Sequence, residues 1–195
     1  MESNAPARSY KHDAFISYSR RDEAFASELQ KALERYNPPK DLELAQRHLN
    51  IFRDKDDFTA GEYYQKIDKH LEDSAKLMVI CSPEARKSKY VNDEIRRFTQ
   101  KRGAAHIIPI ILSGIPNNEA KPGQEEDLAF PEALCEAMEM PLAASYLGFD
   151  SRKDRVNKDS FFTAWSATLS ELYGISRSEM EQREKRRRTR TRRQR

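Results

Sequence analysis

Leu77-Met-Val-Ile-Cys81 and Ile107-Ile-Pro-Ile-Ile-Leu112 are the two runs whose reading decides the fold. A short, uninterrupted apolar run is the pattern of a strand buried on both faces, as at the centre of a parallel sheet. Pro109 is awkward inside such a strand because it cannot donate to the ladder. Its nitrogen must therefore face a side where no partner is required. Around these two strands, Asp13-Ala-Phe-Ile-Ser-Tyr-Ser19 and Leu49-Asn-Ile-Phe-Arg-Asp54 read as earlier strands and Ser145-Tyr-Leu-Gly-Phe149 as a short edge strand.

Helical stripes lie between the strands. Phe25, Leu29, Leu33 and Tyr36 recur at helical spacing up to Pro38-Pro39, with Asp22 placed as the N-cap. Tyr63, Ile67 and Leu71 mark a helix over roughly 62–72, and Val91, Ile95 and Phe98 one over about 88–102. Residues 131–140 suggest a short helix. Phe161, Trp165, Leu169 and Leu172 define the last one, closed at Gly174. Strands alternating with helices predict an α/β, flavodoxin-like parallel sheet with helices on both faces. Ligands of such sheets bind beyond the carboxyl ends of the strands, here Ser17–Asp22, Phe52–Gly61, Ser82–Tyr90 and Ser113–Asn117.

Composition excludes several classes. The chain has 195 residues, of which 37% are hydrophobic and 34% charged, with a net charge of +3. Residues 177–195 hold ten Lys/Arg against three Glu, a charge of +7, so the rest carries −4. The predicted organisation is a flexible N-terminus over 1–10, a domain over 11–175 and a basic tail or linker over 176–195. Six glycines, none in a G-x-G-x-x-G or Walker pattern, exclude a glycine phosphate cradle. The longest apolar runs are far below a membrane span of roughly 20 residues. The start, MESNAPARSYKHD, has no apolar signal core, so the expected location is cytoplasmic. In that compartment Cys81 and Cys135 read as buried thiols. His12, His48, His70 and His106 show no ligand spacing, and neither a metal nor a cofactor is expected.

Tyr90 and Glu94 are four apart, on one helical face beside the buried stripe. A carboxylate beside an aromatic ring at such a boundary edges a pocket, and partial burial raises its pKa. Each candidate also has an ordinary reading. Glu94, near Arg96 and Arg97, fits a solvated surface position; Arg20 and Arg21 fit loop charges; Asp54 fits a turn; Phe52 fits a core position.

Four segments in order, Asp13–Ser19, Phe52-Arg-Asp54 through Ala60-Gly61, Ser88-Lys-Tyr-Val-Asn-Asp-Glu94 and Ile107–Leu112, resemble a TIR (Toll/interleukin-1 receptor) domain of the bacterial type. The resemblance spans about residues 10–175. It implies a five-stranded parallel sheet in the order 2-1-3-4-5, with residues 53–62 as the family's BB loop. It further implies that Glu94 occupies the position of the glutamate with which enzymatic TIR domains cleave the nicotinamide–ribose bond of NAD+. Tyr90 stands where an aromatic, commonly Trp, is found, keeping a smaller stacking face. Phe52 and the first-loop residues Tyr18, Ser19 and Arg20, with Asp54, fall at the positions that line that family's pocket.

One carboxylate suits this chemistry. Ordinary glycosidases need an acid for the leaving oxygen and a second carboxylate. Nicotinamide in NAD+ is already cationic and departs neutral. What remains is to stabilise an oxocarbenium-like ribose and to hold its hydroxyls, which one anionic Glu94 can do. Arg20 is placed to bind the diphosphate. The expected partners are NAD+, as substrate, and other TIR domains, with a pocket completed by a neighbouring protomer through the BB loop.

The alternative is a non-enzymatic TIR scaffold acting through TIR–TIR assembly. A second rival gives the basic tail the main role, binding nucleic acid. With no aromatic between Lys185 and Arg195 to stack on bases, such binding is expected to be non-specific at most.

Overall fold

Every second residue of the central strands meets a different helical layer, and this alternation organises the molecule. The computed structural model describes residues 9–44, 47–55 and 60–194. Its strands are β1 (His12–Ser17), β2 (Ile51–Arg53), β3 (Ser74–Cys81), β4 (Ile107–Ile111) and β5 (Ala144–Ser145). They form one parallel sheet in the order β2-β1-β3-β4-β5. The helices are α1 (Glu23–Arg35), α2 (Ala60–Glu72), α3 (Pro83–Lys87), α4 (Lys89–Arg102), α5 (Glu132–Ala137), α6 (Phe162–Tyr173) and α7 (Arg177–Arg193).

Ala14, Ile16, Met78, Ile80, Ile108 and Ile110 pack with α1, α6 and α7 around Trp165 and Tyr146. Phe15, Leu77, Val79, Cys81, Ile107 and Ile111 pack with α2, α4 and α5 around Ile67, Leu71 and Phe98. Each such buried side chain contributes roughly 1.5–3 kcal/mol of burial, so two continuous apolar layers hold the sheet.

Pro109 meets the requirement set by its sequence. Leu112 N donates to the Cys81 carbonyl at 2.9 Å, while the Ile111 carbonyl accepts from Tyr146 N at 2.8 Å. Even positions of β4 therefore turn to β3 and odd ones to β5. Pro109 is odd, and β5 pairs only with Ile110 and Ile111. Its nitrogen faces the stretch of that side where no strand runs.

Several elements depart from the sequence expectation. The edge strand is two residues long and starts one residue earlier than predicted. A short helix that the sequence reading does not include, α3, starts at Ser82-Pro83: Ser82 Oγ accepts from Ala85 N at 3.0 Å and Pro83 takes the first helical turn, where its missing N–H costs nothing. Asp22 precedes α1 without capping it through its side chain. Its carboxylate instead accepts from Ser82 Oγ at 2.5 Å, tying the β1 exit to the β3 exit.

Residues 177–193 form a docked helix. Ser176 Oγ caps α7 by accepting from Glu179 N at 3.2 Å, and Met180 and Glu184 are buried against the body. The charge boundary at residue 176 is thus not a break in the packing. Both cysteines are free, Cys81 buried and Cys135 half-buried. No helix among the described residues is long and apolar enough to cross a membrane.

Candidate functional site

Glu94 lies one turn after Tyr90 on α4, on the sheet face covered by α2 and α4. It is only 7% exposed, although the helix ends and their charges are solvated. Its partners come from two other elements. Ser17 Oγ, at the carboxyl end of β1, donates to Oε2, and Tyr63 Oη, in the first turn of α2, donates to Oε1. Burial pushes the Glu94 carboxyl up to about 7, with Asp54 and Asp93 nearby pushing the same way, while the two hydroxyl donors pull it down. Among the described residues no cation pairs with it. Arg97 forks onto both oxygens of Asp68 at 2.9 and 2.8 Å, and Arg96 is committed to Glu136 at 3.1 Å.

The aromatic neighbour is where the sequence expects it. Tyr90 is 48% exposed, and its ring meets the Tyr63 ring edge-on at 4.7 Å between centroids. A carboxylate, a hydroxyl donor and an exposed aromatic ring therefore share one corner. Burial first, then the Glu94 charge, raise the Tyr63 phenol far above its ordinary value, so it stays protonated and donates to Glu94.

The first-loop candidates form a second group. Tyr18 Oη donates to the Asp54 carbonyl at 2.7 Å and accepts from Arg53 Nη1 at 3.0 Å. Arg53 is buried and is held in turn by Gln30 Oε1 at 3.0 Å and Glu23 at 3.4 Å. Ser19 caps a single 3-10 turn over Arg20–Asp22, accepting from Arg21 N, and Arg20 stands exposed. Tyr18 and Asp54 are thus brought together, and the Asp54 carboxylate is close enough to raise both Glu94 and Tyr63.

Phe52 is placed differently. Its ring stacks on His70 at 3.8 Å and touches His12 and Phe15 at 5.1 Å each. The expected BB loop over 53–62 is only partly visible, since its residues 56–59 lie outside the described residues. The first-ten-residue terminus, apart from 9 and 10, does so as well.

Ser17 and Tyr63 were not among the residues singled out by sequence, nor was Arg53. Ser17 carried a readable signal, being the first residue past the apolar part of β1 in a strand-end segment. Tyr63 read as part of a core stripe, and nothing local reports that its hydroxyl reaches α4.

A TIR domain family model matches residues 14–134, and the chain belongs to that family. It is similar to the NAD(+) hydrolase ApTIR of Actinoplanes sp., with 31% identity over 133 residues. That match takes in 64% of this chain but 18% of the relative, so the chain spans less than a fifth of that protein's length. Among solved structures it is similar to the TIR domain of the Toll-related receptor TRR-2 from Hydra magnipapillata, with 20% identity, 57% of this chain and 82% of that chain covered, and a TM-score of 0.37. A TIR-STING receptor from C. gigas gives 16% identity, 72% and 44% coverage, and a TM-score of 0.44.

Proposed function

We propose that this TIR domain is an NAD+ glycohydrolase, cleaving the nicotinamide–ribose bond to give nicotinamide and ADP-ribose or a cyclic variant of it. The observation that carries the reading is Glu94, a buried carboxyl held up to about 7 by burial, with no cation paired to it among the described residues. The likeness to an NAD(+) hydrolase over 133 residues supports the same reading.

In this proposal the ribose C1′–nitrogen bond breaks and its electron pair leaves with nicotinamide, which becomes neutral. No proton donor is needed for that departure. The ionised Glu94 faces the oxocarbenium-like ribose and offsets its charge from a buried position. Ser17 and Tyr63 occupy one lone-pair direction on each carboxylate oxygen, leaving others for ribose hydroxyls. Water then attacks C1′, forming the C1′–oxygen bond, and its proton passes to solvent. Tyr90 offers its exposed face for stacking, Arg20 the cation for the diphosphate, and Tyr18, Ser19 and Asp54 the polar edge. Phe52, its ring already stacked on His70, serves as wall rather than as a free stacking surface.

The wider assignment places the domain in the cytoplasm, in bacterial defence or signalling, active when TIR domains assemble. Nicotinamide release by concentrated wild type against Glu94→Gln tests the reading. Release by wild type alone supports it. Equal rates remove Glu94 from the mechanism, and no release from assembled wild type favours the scaffold.

A further inference from the structure

On the sheet face opposite Glu94, α1, α7 and residues 155–159 enclose a groove of about 1100 Å³. Seven Lys/Arg line it against three carboxylates. All three carboxylates are already engaged. Glu28 accepts from Val156 N at 3.1 Å, Asp159 holds Arg188 at 2.5 Å and also Arg192, and buried Glu184 accepts from Tyr36 Oη at 2.6 Å with Arg187 3.5 Å away. Lys31 and Arg35, exposed and one turn apart on α1, form the opposite wall and have no ion-pair or hydrogen-bond partner among the described residues.

We infer that this groove binds a small polyphosphate, a ligand with two or more linked phosphate groups. On the α7 wall Arg187, Arg188 and Arg192 are paired with Glu184 and Asp159. The uncompensated charge therefore comes from Lys31 and Arg35 on α1 and from Arg155 and Lys158 in residues 155–159, which face that wall across the groove. Along each helix the cations repeat every turn, roughly 5–6 Å. A compact ligand with several oxygens on each phosphate can meet both walls at once, and guanidinium forks match phosphate oxygens in pairs. A duplex, by contrast, would lie on the outer side of α7. Bound phosphate would also link α7 to α1 directly, adding to a dock that includes Met180, Tyr36–Glu184, the Asp159 pairs, Arg183–Asp41 and the bond from Arg187 to the Asn37 carbonyl. The inference does not rest on the enzymatic reading, because the groove and Glu94 lie on opposite faces of the sheet.

The test is calorimetric titration of the full chain at about 150 mM salt with inorganic tripolyphosphate, ATP, AMP and a short DNA duplex. Tripolyphosphate is expected to bind one to one, with AMP at least tenfold weaker. ATP equal to tripolyphosphate assigns recognition to the phosphate chain, and tighter ATP adds a nucleoside contribution; both outcomes support the groove. Lys31→Glu with Arg35→Glu is expected to weaken binding at least tenfold, and the milder Lys31→Gln/Arg35→Gln pair to weaken it less. Arg186→Glu with Arg190→Glu, on the side of α7 facing residues 37–41, is expected to leave it within threefold. An unliganded melting temperature matching wild type shows that each variant folds. No binding of tripolyphosphate, unchanged binding in both Lys31/Arg35 variants, tripolyphosphate binding that falls as far in Arg186→Glu/Arg190→Glu, or duplex binding that is lost with Lys31/Arg35 as tripolyphosphate binding is, overturns the proposal.

Discussion

Replacing Glu94 by Gln should stabilise the protein, and the gain should depend on pH in one direction. In the folded chain the carboxyl titrates near 7; in the unfolded chain it titrates near its ordinary 4.5. Between those values the folded state holds a proton that the unfolded state has lost, so raising the pH costs wild type stability. The contribution is fully present below about 4.5, is lost through the interval, and stays lost above 7. A shift of this size corresponds to about 3 kcal/mol at 1.36 kcal/mol per unit, and burial leaves it little screened. Gln keeps the shape but does not titrate. The stability gap between Glu94→Gln and wild type should therefore widen by about 3 kcal/mol from pH 4.5 to 8. At roughly 2–4 °C per kcal/mol for a chain of this size, the melting temperatures should diverge by roughly 6–12 °C. Denaturant unfolding of both proteins at several pH values measures the gap directly. A gap that does not change with pH would refute the reasoning, whatever its size, because any fixed packing penalty of Gln cancels in the comparison.

Two further perturbations read the same architecture. Tyr63→Phe keeps the ring against Tyr90 but removes the donor on Glu94 Oε1. A hydrogen bond to a charged group is worth about 1.5–3 kcal/mol, so the acid limb of nicotinamide release should move to higher pH by about 1–2 units, with the plateau above it retained; a limb that stays put dismisses Tyr63 as a positioning residue. Gly114→Ala puts a Cβ 2.7 Å from the Asp127 carbonyl oxygen and 2.9 Å from Pro83 Cδ at φ +86°, whereas Gly174→Ala at φ +65° meets nothing within 4 Å. The first should cost about 2–5 kcal/mol from backbone strain plus overpacking, the second only about 1–2 kcal/mol from strain; equal losses in chemical unfolding would show that the contact with Pro83 and Asp127 gives way freely.

What the sequence made legible follows the range of the interactions involved. Leu77–Cys81 and Ile107–Ile111 are buried on both faces, so their own composition reports their place, and the sheet order then followed from the family pattern. Glu94 was legible as a position, four residues after an aromatic and beside a buried stripe. Its partners were not, because Ser17 and Tyr63 lie 77 and 31 residues away and local periodicity carries no record of a hydroxyl reaching across a layer. α7 shows the same limit with an added lesson. Its charge pattern offers only Met180 as an apolar anchor, and its dock joins Tyr36 to Glu184 across 148 residues. Yet Ser176-Arg-Ser-Glu179 is a capping-box sequence, so the start of the helix was written locally even though its docking was not. Ser82-Pro83 likewise spells a helix start, with Ser at the N-cap and Pro in the first turn.

The two buried glutamates among the described residues differ in how their charge is answered, and the difference fits the role proposed for Glu94. Each accepts from a tyrosine hydroxyl, Glu184 from Tyr36 and Glu94 from Tyr63. Glu184 also has the guanidiniums of Arg187 and Arg188 within 3.5 and 4.0 Å, on its own helix, so its charge is answered where it stands. Glu94 faces the reverse. The arginines beside it on α4 are turned to Asp68 and Glu136, and its charged neighbours are Asp54 and Asp93. A carboxylate kept for stability would be surrounded as Glu184 is, since an unpaired buried charge costs several kcal/mol. One kept for a cationic reaction centre must lack a resident cation, because a guanidinium at hydrogen-bond distance would occupy the place of the ribose and cancel the field it needs. Introducing such a cation at Tyr63, as Tyr63→Arg, should therefore return the Glu94 carboxyl toward its ordinary value while abolishing nicotinamide release.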